Sequence, residues 1–210
     1  MAADTLTLSP PAGKREQTKA ANRSAILDAA RAVFGEMGYE TATVRDIIRR
    51  TGLSVGAFYN YYRSKEEVYE ALADDGARRF RPILRAKYDT TKDFESYIRE
   101  AVTAYLRFSL VEQDAWQLTA PEGSRSHPAM RMETPEMLAV YDEVKRAIAG
   151  VIDRGLAPRV DADYLAGACI AIAREIGERM LERRPVDVDA AADFAVSLIL
   201  GGLPALPRIP

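Results

Sequence analysis

Apolar residues recur at helical spacing along almost the whole chain. In the first such segment Ile26, Ala29, Val33 and Met37 share one face, because residues three or four apart lie one helical turn from each other. Gly38 follows the last of them and predicts the end of that helix. No segment alternates apolar and polar residues as a half-buried strand does. The pattern therefore predicts an all-α protein.

Glycine, proline and capping Ser or Thr residues divide the chain into about nine helices. The predicted helices cover residues 18–37, 44–51, 55–62, 65 onward, 91–111, about 113–120, 135–154, 161–183 and 187–203. Gly76 and Pro82 weaken the fourth of these without ending it, and a kink can form there. Residues 121–130 are predicted to form a loop.

Charge is unevenly distributed. The chain has 210 residues and a net charge of −2, yet residues 14–65 carry ten Lys or Arg and five Asp or Glu. A basic segment on an acidic protein indicates a polyanionic partner for that segment. We therefore predict a flexible arm over 1–17, a basic domain of short helices over 18–74 and a larger helical domain over 75–210.

The use of cysteine and histidine excludes several classes of protein. Cys169 and His127 are the only residues of their types, which excludes a disulfide framework, a Cys/His metal site and a His-based triad. The apolar run 164–173 is far shorter than the about 20 residues that span a bilayer. Residues 1–13 lack the apolar region of a signal peptide. We expect a cytoplasmic protein with no catalytic residue, metal, cofactor or membrane contact.

The segments on either side of Gly52 fit a helix-turn-helix, in which the second helix enters the major groove of DNA and the first steadies it. Gly52 permits the tight turn, and Leu53 and Phe58 are expected to point inward. Small residues at 55–57 let the second helix approach the bases. The predicted DNA contacts are Thr43, Val44, Arg45, Ser54, Val55, Gly56, Ala57, Tyr59, Asn60, Tyr61 and Lys65.

Different kinds of contact are expected within this set. Val55 or Ala57 suits apolar contact with a thymine methyl group, and Arg45 suits a bidentate contact with guanine. The tyrosines and Lys65 suit phosphate contacts, which position the protein without specifying sequence. Alternatively, the tyrosines are half-buried amphipathic residues of the domain core.

Residues 23–72 resemble the N-terminal domain of the TetR family of bacterial transcriptional regulators. The matching positions are Ile26, Leu27, Ala29, Ala30, Phe34, Gly38, Tyr39, Thr43, Val44, Asp46, Ile47, Gly52, Ser54, Gly56, Tyr59, Lys65 and Glu66. The resemblance implies an all-α homodimer. Its N-terminal three-helix domain binds double-stranded operator DNA, and its C-terminal domain binds a small-molecule effector that releases the DNA. Thr43, Tyr59 and Lys65 fall at the family's phosphate contacts.

The chain departs from the family pattern at two positions. Tyr62 stands where phenylalanine is usual and can add a hydroxyl contact, and Ile48 stands where alanine is usual. Ahead of the first helix, four basic residues either follow the DNA or form a solvated tail. They are Lys14, Arg15, Lys19 and Arg23.

The C-terminal domain is predicted to supply a dimer interface and an effector pocket. The last helix is apolar nearly all round, which is typical of burial on two sides. With the preceding helix it suits a four-helix interface between two copies, an ordinary core being the alternative. The predicted interface residues are Leu165, Ala168, Ile172, Ile176, Phe194, Leu198 and Ile199. The predicted effector contacts are Tyr97, Tyr105, Phe108, Trp116, Tyr141 and Arg174.

Each effector contact has a plainer alternative. Each of the aromatic residues is of a type found more often in the core, and Arg174 can pair with Glu178 one turn along instead of binding an anionic ligand. We expect a ligand-responsive transcriptional repressor. The alternative is a helical small-molecule-binding protein or enzyme with a vestigial helix-turn-helix, which the single histidine and cysteine disfavour.

Overall fold

The structure, a computed structural model, describes residues 13–90, 93–117, 134–206 and 208. Across these residues it contains eight α-helices, one 3₁₀ turn (Leu203–Ala205) and no strand, which confirms the all-α prediction. The helices are α1 (Lys14–Met37), α2 (Val44–Thr51), α3 (Val55–Tyr59), α4 (Lys65–Thr90), α5 (Phe94–Gln117), α6 (Pro135–Asp153), α7 (Ala162–Leu181) and α8 (Val188–Gly202).

The first helix begins earlier than predicted. α1 starts at Lys14, so the segment 14–17 belongs to the helix and not to a flexible arm. Lys, Arg, Glu and Gln are good helix formers, and nothing between Gly13 and Thr18 interrupts them. Residues 1–12 of the predicted arm lie outside the described residues.

Two predicted helices are one. The segments 91–111 and 113–120 join into α5, which continues to Gln117 because neither glycine nor proline lies between them. The end of the second segment and the predicted loop 121–130, with His127, lie outside the described residues. α4 likewise continues past Gly76 and Pro82.

The helices form two hydrophobic clusters that meet along α4. The N-terminal cluster includes buried residues of the first four helices, among them Ile26, Ala30, Phe34, Ile47, Phe58, Val68 and Leu72. The C-terminal cluster begins with Phe80 on α4 and takes in residues of α5 to α8. The clusters separate between Leu72 and Phe80, on either side of the domain boundary predicted at residues 74 and 75. That boundary stays a prediction.

The turn between α2 and α3 has the geometry expected of a helix-turn-helix. Gly52 has φ +69°, a left-handed conformation that residues with a side chain rarely adopt. Ser54 then caps α3, its hydroxyl accepting a hydrogen bond from the Ala57 amide at 3.2 Å. Ile47 and Phe58 are both 0% exposed, which anchors α2 and α3 to the same core.

α5 is the central helix of the C-terminal part, where it packs against α4, α7 and α8. α8 turns Ala195, Val196 and Ile199 toward this core and leaves Phe194 and Leu198 exposed. Within the described residues, the segment Val188–Ala205 is the one helix long and apolar enough to cross a membrane.

Candidate DNA-binding site

α3 presents small side chains to solvent. Val55 and Tyr59 are 59% and 51% exposed, and Gly56 is exposed with no atom within 4 Å of the position a Cβ would take. Ala57 is partly exposed beside them. Phe58 occupies the opposite face of α3 and is wholly buried. The residues on the outer face carry no charge, and those at the start of the helix are small, so this face is smooth and uncharged. Such a surface can approach base edges closely.

The start of α2 is fixed by a reciprocal pair of hydrogen bonds. The Asp46 amide donates to the Thr43 hydroxyl at 3.4 Å, and the Thr43 amide donates to the Asp46 carboxylate at 3.0 Å. This arrangement is a capping box. Hydrogen bonds from the Thr43 side chain and then its backbone lower the pKa of Asp46. The capping box sets the direction in which Val44 and Arg45 project.

Arg45 differs from the other arginines of α2 in having no internal partner. Arg49 pairs with Asp46, and Arg50 pairs with Glu36 of α1 at 2.6 Å. Arg45 is exposed, and no hydrogen bond or ion pair to it is found in the part of the chain that the structure describes. A free guanidinium at the start of α2 can make the bidentate contact with guanine that the sequence predicts.

Three tyrosines at and just after the end of α3, Tyr59, Tyr61 and Tyr62, have different surroundings. Tyr59 is half exposed. The Tyr61 hydroxyl accepts a hydrogen bond from the Asn22 side chain at 3.2 Å. Tyr62 is 7% exposed, and its hydroxyl accepts from Arg23 Nε at 3.2 Å. The added hydroxyl at position 62 therefore contacts α1, and the core interpretation holds for Tyr62 but not for Tyr59.

Lys65 makes its contacts inside the protein. Its Nζ donates to the carbonyl oxygens of Tyr39, Glu40 and Ala42 at 2.9, 3.2 and 3.3 Å. It also lies 4.5 Å from the centroid of the Tyr39 ring. An ammonium group has three N–H donors, and three acceptors surround this one. The phosphate contact expected of Lys65 stays a prediction.

A family model described as bacterial regulatory proteins, tetR family, matches residues 26–72. Residues 26–72 therefore have the sequence of a TetR-family N-terminal domain. The matched residues run from the buried part of α1 to Leu72 on α4, and so cover the N-terminal hydrophobic cluster and the helix-turn-helix.

Relatives of this chain include both a transcriptional activator and a transcriptional repressor. It is 27% identical over 191 residues to the HTH-type transcriptional activator FasR of Mycolicibacterium smegmatis, which covers 88% of this chain and 84% of that one. It is 40% identical over 68 residues to the HTH-type transcriptional repressor Rv1474c of Mycobacterium tuberculosis, which covers 32% of this chain and 36% of that one.

Solved structures of TetR-type regulators share the fold. The transcriptional regulator FadR from Bacillus subtilis, solved in complex with stearoyl-CoA, matches with a TM-score of 0.66 and 17% identity. The match covers 85% of this chain and 98% of that one. At this identity the likeness concerns the fold.

Of the residues of α7 and α8 predicted for a dimer interface, some are buried within the chain and others are exposed. Leu165 and Ile199 are 6% and 5% exposed within one chain, so we assign them to the core of the subunit. Ile172 and Ile176 are partly buried against the C-terminal cluster. The exposed members are Ala168, Phe194 and Leu198. Tyr164, which lies one turn before Ala168 and is 80% exposed, belongs to the same surface and was missed from the sequence.

The aromatic residues predicted for an effector pocket do not line one common cavity. Tyr97 is 1% exposed and belongs to the core. Tyr105 and Phe108 pack against a phenylalanine ring of α4. The Tyr141 hydroxyl donates to a carbonyl oxygen at the start of α7 at 2.9 Å. The side chain of Trp116 lies outside the described part of the structure.

Three buried polar atoms lack a hydrogen-bond partner among the described residues. They are the Tyr97 hydroxyl, Oε2 of Glu143 and Nε of Arg174. Among the residues described, no ion pair joins Arg174 to Glu178. Leaving such a group unpaired costs about 1–3 kcal/mol, so these atoms are places where water or a ligand can bind.

An open groove of about 540 Å³ lies between α4 and α5. We call it the α4–α5 groove. Its apolar lining includes Ile83, Phe108 and Val111, and its charged lining includes Arg99 and Arg107. Among the predicted effector contacts whose side chains the structure describes, Phe108 alone lines it. Its volume falls within the range of about 300–1,000 Å³ typical of small-molecule sites.

The described residues offer little support for a metal site or a cysteine nucleophile. No group of three or more His, Cys, Asp or Glu side chains there is arranged to hold a metal ion. Cys169 is buried, which raises the pKa of its thiol to about 12. This thiol therefore stays protonated at neutral pH, where a thiolate nucleophile would be ionised.

The capping box predicts a pH-dependent stability. The lowered pKa of Asp46 means that folding favours its ionised form, so its contribution is present at neutral pH and is lost as the pH falls through the folded-state pKa. We expect Asp46→Asn to lower the free energy of unfolding by about 0.5–1 kcal/mol at neutral pH. The difference from wild type should shrink below about pH 4.

Urea unfolding followed by circular dichroism at several pH values measures this difference. Thr43→Ser, which keeps a capping hydroxyl, is the matched control and should remain close to wild type. A difference between Asp46→Asn and wild type that does not change with pH would contradict the assignment.

Proposed function

We propose that this protein is a ligand-responsive transcriptional repressor of the TetR family that binds a palindromic operator as a cytoplasmic homodimer. The observation that carries the proposal is that the outer face of α3 and the side chain of Arg45 on α2 lie on two adjoining helices anchored in the same core. The smooth outer face of α3 can enter the major groove, and the unpaired guanidinium of Arg45 lies on the adjoining helix. Both helices are held by the buried side chains of Ile47 and Phe58.

The proposed contacts divide into bases and backbone. Val55 and Ala57 meet thymine methyl groups, and Arg45 hydrogen-bonds guanine. Thr43, the N-cap of α2, and Tyr59, the last residue of α3, contact phosphates. Val44, Ser54, Gly56, Asn60 and Tyr61 complete the proposed interface. Since α3 carries no polar base-reading group at its tip, sequence preference depends largely on Arg45 and on DNA shape.

Binding to an operator that overlaps a promoter is enough to repress transcription, because the bound dimer excludes RNA polymerase. Of the two relatives named above, the one that matches 88% of this chain is named an activator, and the one that matches 32% of it is named a repressor. A reporter gene behind the selected operator decides the direction. Repression predicts that its output rises when the regulator is deleted.

Selection from a random-sequence duplex pool tests DNA binding, followed by affinity measurements on the selected site and its single-base variants. We expect salt-sensitive binding to a site with two-fold symmetry. Arg45→Ala should cost roughly 1–3 kcal/mol and relax the preference at one base pair per half-site. Arg63→Ala, which removes an exposed arginine just after the recognition helix, is the control and should leave base preference unchanged. Equal losses at every site variant would refute the role of Arg45, and absence of binding would refute the function.

The proposed dimer uses the exposed apolar side chains of α7 and α8. Tyr164, Ala168 and Ile172 follow one another at helical spacing on α7, and Phe194 and Leu198 do so on the adjacent α8. Large apolar side chains gathered on neighbouring helices mark an interaction surface. A two-fold axis through this surface forms a four-helix interface, and two copies are what a palindromic site requires.

Charge substitutions test this surface. Phe194→Asp and Leu198→Asp each place a charge at the centre of the proposed interface, and we expect a monomer of 23.2 kDa where the wild type has twice that mass. Leu138→Asp on α6, a residue 50% exposed like Leu198, is the matched control and should remain a dimer. Light scattering coupled to size exclusion measures the mass. A wild-type monomer, or dimeric Phe194→Asp and Leu198→Asp proteins, would contradict the proposal.

The proposed effector is a small apolar or amphipathic molecule bound in the α4–α5 groove. Ile83, Phe108 and Val111 offer an apolar surface. Arg99 and Arg107 lie at its margin, where they form solvent-exposed ion pairs with Asp193 and Asp189 of α8 that an acidic ligand would have to replace. This combination suits a molecule with an apolar chain and an acidic group. Fatty acids and acyl-CoA esters are therefore reasonable probes, and stearoyl-CoA occupies the Bacillus subtilis structure.

A thermal-shift assay with these probes tests the groove. We expect at least one to raise Tm by about 5 °C or more at saturation and to weaken operator binding. Thr103→Trp, which fills the groove, should abolish the shift, whereas Leu156→Trp on an exposed turn should not. Loss of the shift in Arg174→Leu but not in Thr103→Trp would locate the effector in the interior instead. No shift with any probe would contradict the proposed effector class.

A further inference from the structure

We propose that the N-terminal turns of α1 form a second DNA-binding surface, on which Arg15 and Lys19 bind phosphates of the duplex that the helix-turn-helix reads. α1 begins at Lys14, but its first buried residue is Ile26. Residues 14–25 therefore extend past the hydrophobic core, and we call them the α1 extension. The inference rests on the proposed DNA-binding function and concerns a further contact with the same duplex.

The α1 extension is cationic and largely exposed to solvent. Every residue from 14 to 21 is exposed. The extension carries four basic residues and one acidic residue, namely Lys14, Arg15, Lys19, Arg23 and Glu16. An exposed helical segment with this excess of positive charge attracts a polyanion. Its charge is therefore complementary to a DNA backbone.

The base of the α1 extension is attached to the chain that follows the recognition helix. Asn22 Nδ2 donates to the Tyr61 hydroxyl at 3.2 Å, and Arg23 Nε donates to the Tyr62 hydroxyl at 3.2 Å. Both tyrosines lie within three residues of Tyr59, where α3 ends. The side of α1 that carries Asn22 and Arg23 therefore faces the C-terminal end of α3.

Arg15 and Lys19 project from that same side of α1. Successive residues of an α-helix are rotated by about 100°, so the directions of Arg15 and Lys19 fall between those of Asn22 and Arg23. The two cations are four residues apart, or about 6 Å along the helix axis. The surface that they form is thus continuous with the proposed DNA-binding surface at the end of α3.

The charges of Arg15 and Lys19 are not neutralised within the chain. No hydrogen bond or ion pair to either side chain is found among the residues that the structure describes. Further along the same helix, Arg31 pairs with Asp28 at 2.8 Å and with Asp75 at 3.4 Å. The basic residue beside the core is therefore used internally, whereas the two cations of the extension are left for an external partner.

The salt dependence of DNA binding reports contacts of this kind. Each phosphate neutralised by a cation adds about 0.9 to the magnitude of the slope of log K against log salt concentration. Contacts to phosphate carry no direct information about base sequence. Loss of Arg15 and Lys19 should therefore lower the slope by about 1.8 for each bound subunit and leave base preference unchanged.

The double variant Arg15→Gln/Lys19→Gln is compared with wild type by fluorescence anisotropy on the selected duplex, between about 50 and 200 mM salt. Glutamine is a good helix former, so α1 is retained. We expect binding about tenfold or more weaker at the lowest salt concentration, with the lowered slope. The matched control is Arg146→Gln/Arg183→Gln, which removes the same charge from exposed positions of the C-terminal part. It should keep the wild-type slope.

Three results would overturn the proposal. They are a wild-type slope in Arg15→Gln/Lys19→Gln, an equal fall of the slope in the control, and a changed base preference in Arg15→Gln/Lys19→Gln. The second would show an effect of net charge alone, and the third would show contact with bases. A wild-type protein that binds no duplex would refute the proposed function, and the inference with it.

A second measurement uses the unaltered protein and does not depend on the folding of a variant. Brief acetylation with acetic anhydride, read by peptide mass spectrometry, reports the reactivity of each lysine. We expect saturating duplex to slow the acetylation of Lys19 several-fold, because its ammonium is then hydrogen-bonded to phosphate. Lys145 on α6 is the internal control and should react at the same rate with and without DNA. Equal reactivity of Lys19 in the free and DNA-bound protein would overturn the contact.

Discussion

Helix α4 is a single continuous helix whose two halves belong to different hydrophobic clusters, and the placement of the other helices depends on it. Val68 and Leu72 are buried with α1 to α3, whereas Phe80 and Leu84 are buried with α5 to α8. Asp75, between them, forms an ion pair with an arginine of α1 at 3.4 Å. A ligand can shift an equilibrium only by binding two states differently. In this fold, any effector that displaces α4 also displaces the helix-turn-helix packed on its first turns.

The helix-turn-helix could be predicted because its determinants are local in sequence. Gly52 needs only its own conformation, Ser54 caps an amide three residues away, and Ile47 and Phe58 follow from helical spacing. The internal contacts of Lys65 could not be predicted in this way. Its partners are the carbonyl oxygens of Tyr39, Glu40 and Ala42, which lie more than twenty residues earlier in the sequence and come close only in the folded chain. From the sequence alone, a basic residue after the recognition helix suggests a phosphate contact.

The C-terminal part shows the limit of periodicity as a guide. Leu165 and Ala168 are three residues apart on α7, yet the first is buried in the subunit and the second is exposed. An apolar pattern predicts burial but does not say whether the covering surface comes from the same chain or from a second copy. The same applies to Tyr97, whose aromatic ring suited a pocket and whose position is in the core. The effector site depends on packing between helices, which single-helix patterns do not encode.

We propose that α2 and α3 together form the surface that contacts DNA. Amide hydrogen exchange of the whole chain, measured with and without the selected duplex, tests it most directly. We expect slower exchange on DNA binding at residues 43–46 and 54–61, with α6, α7 and α8 unchanged at the same protein concentration. Protection confined to the C-terminal helices, or DNA binding that leaves residues 54–61 unprotected, would contradict it.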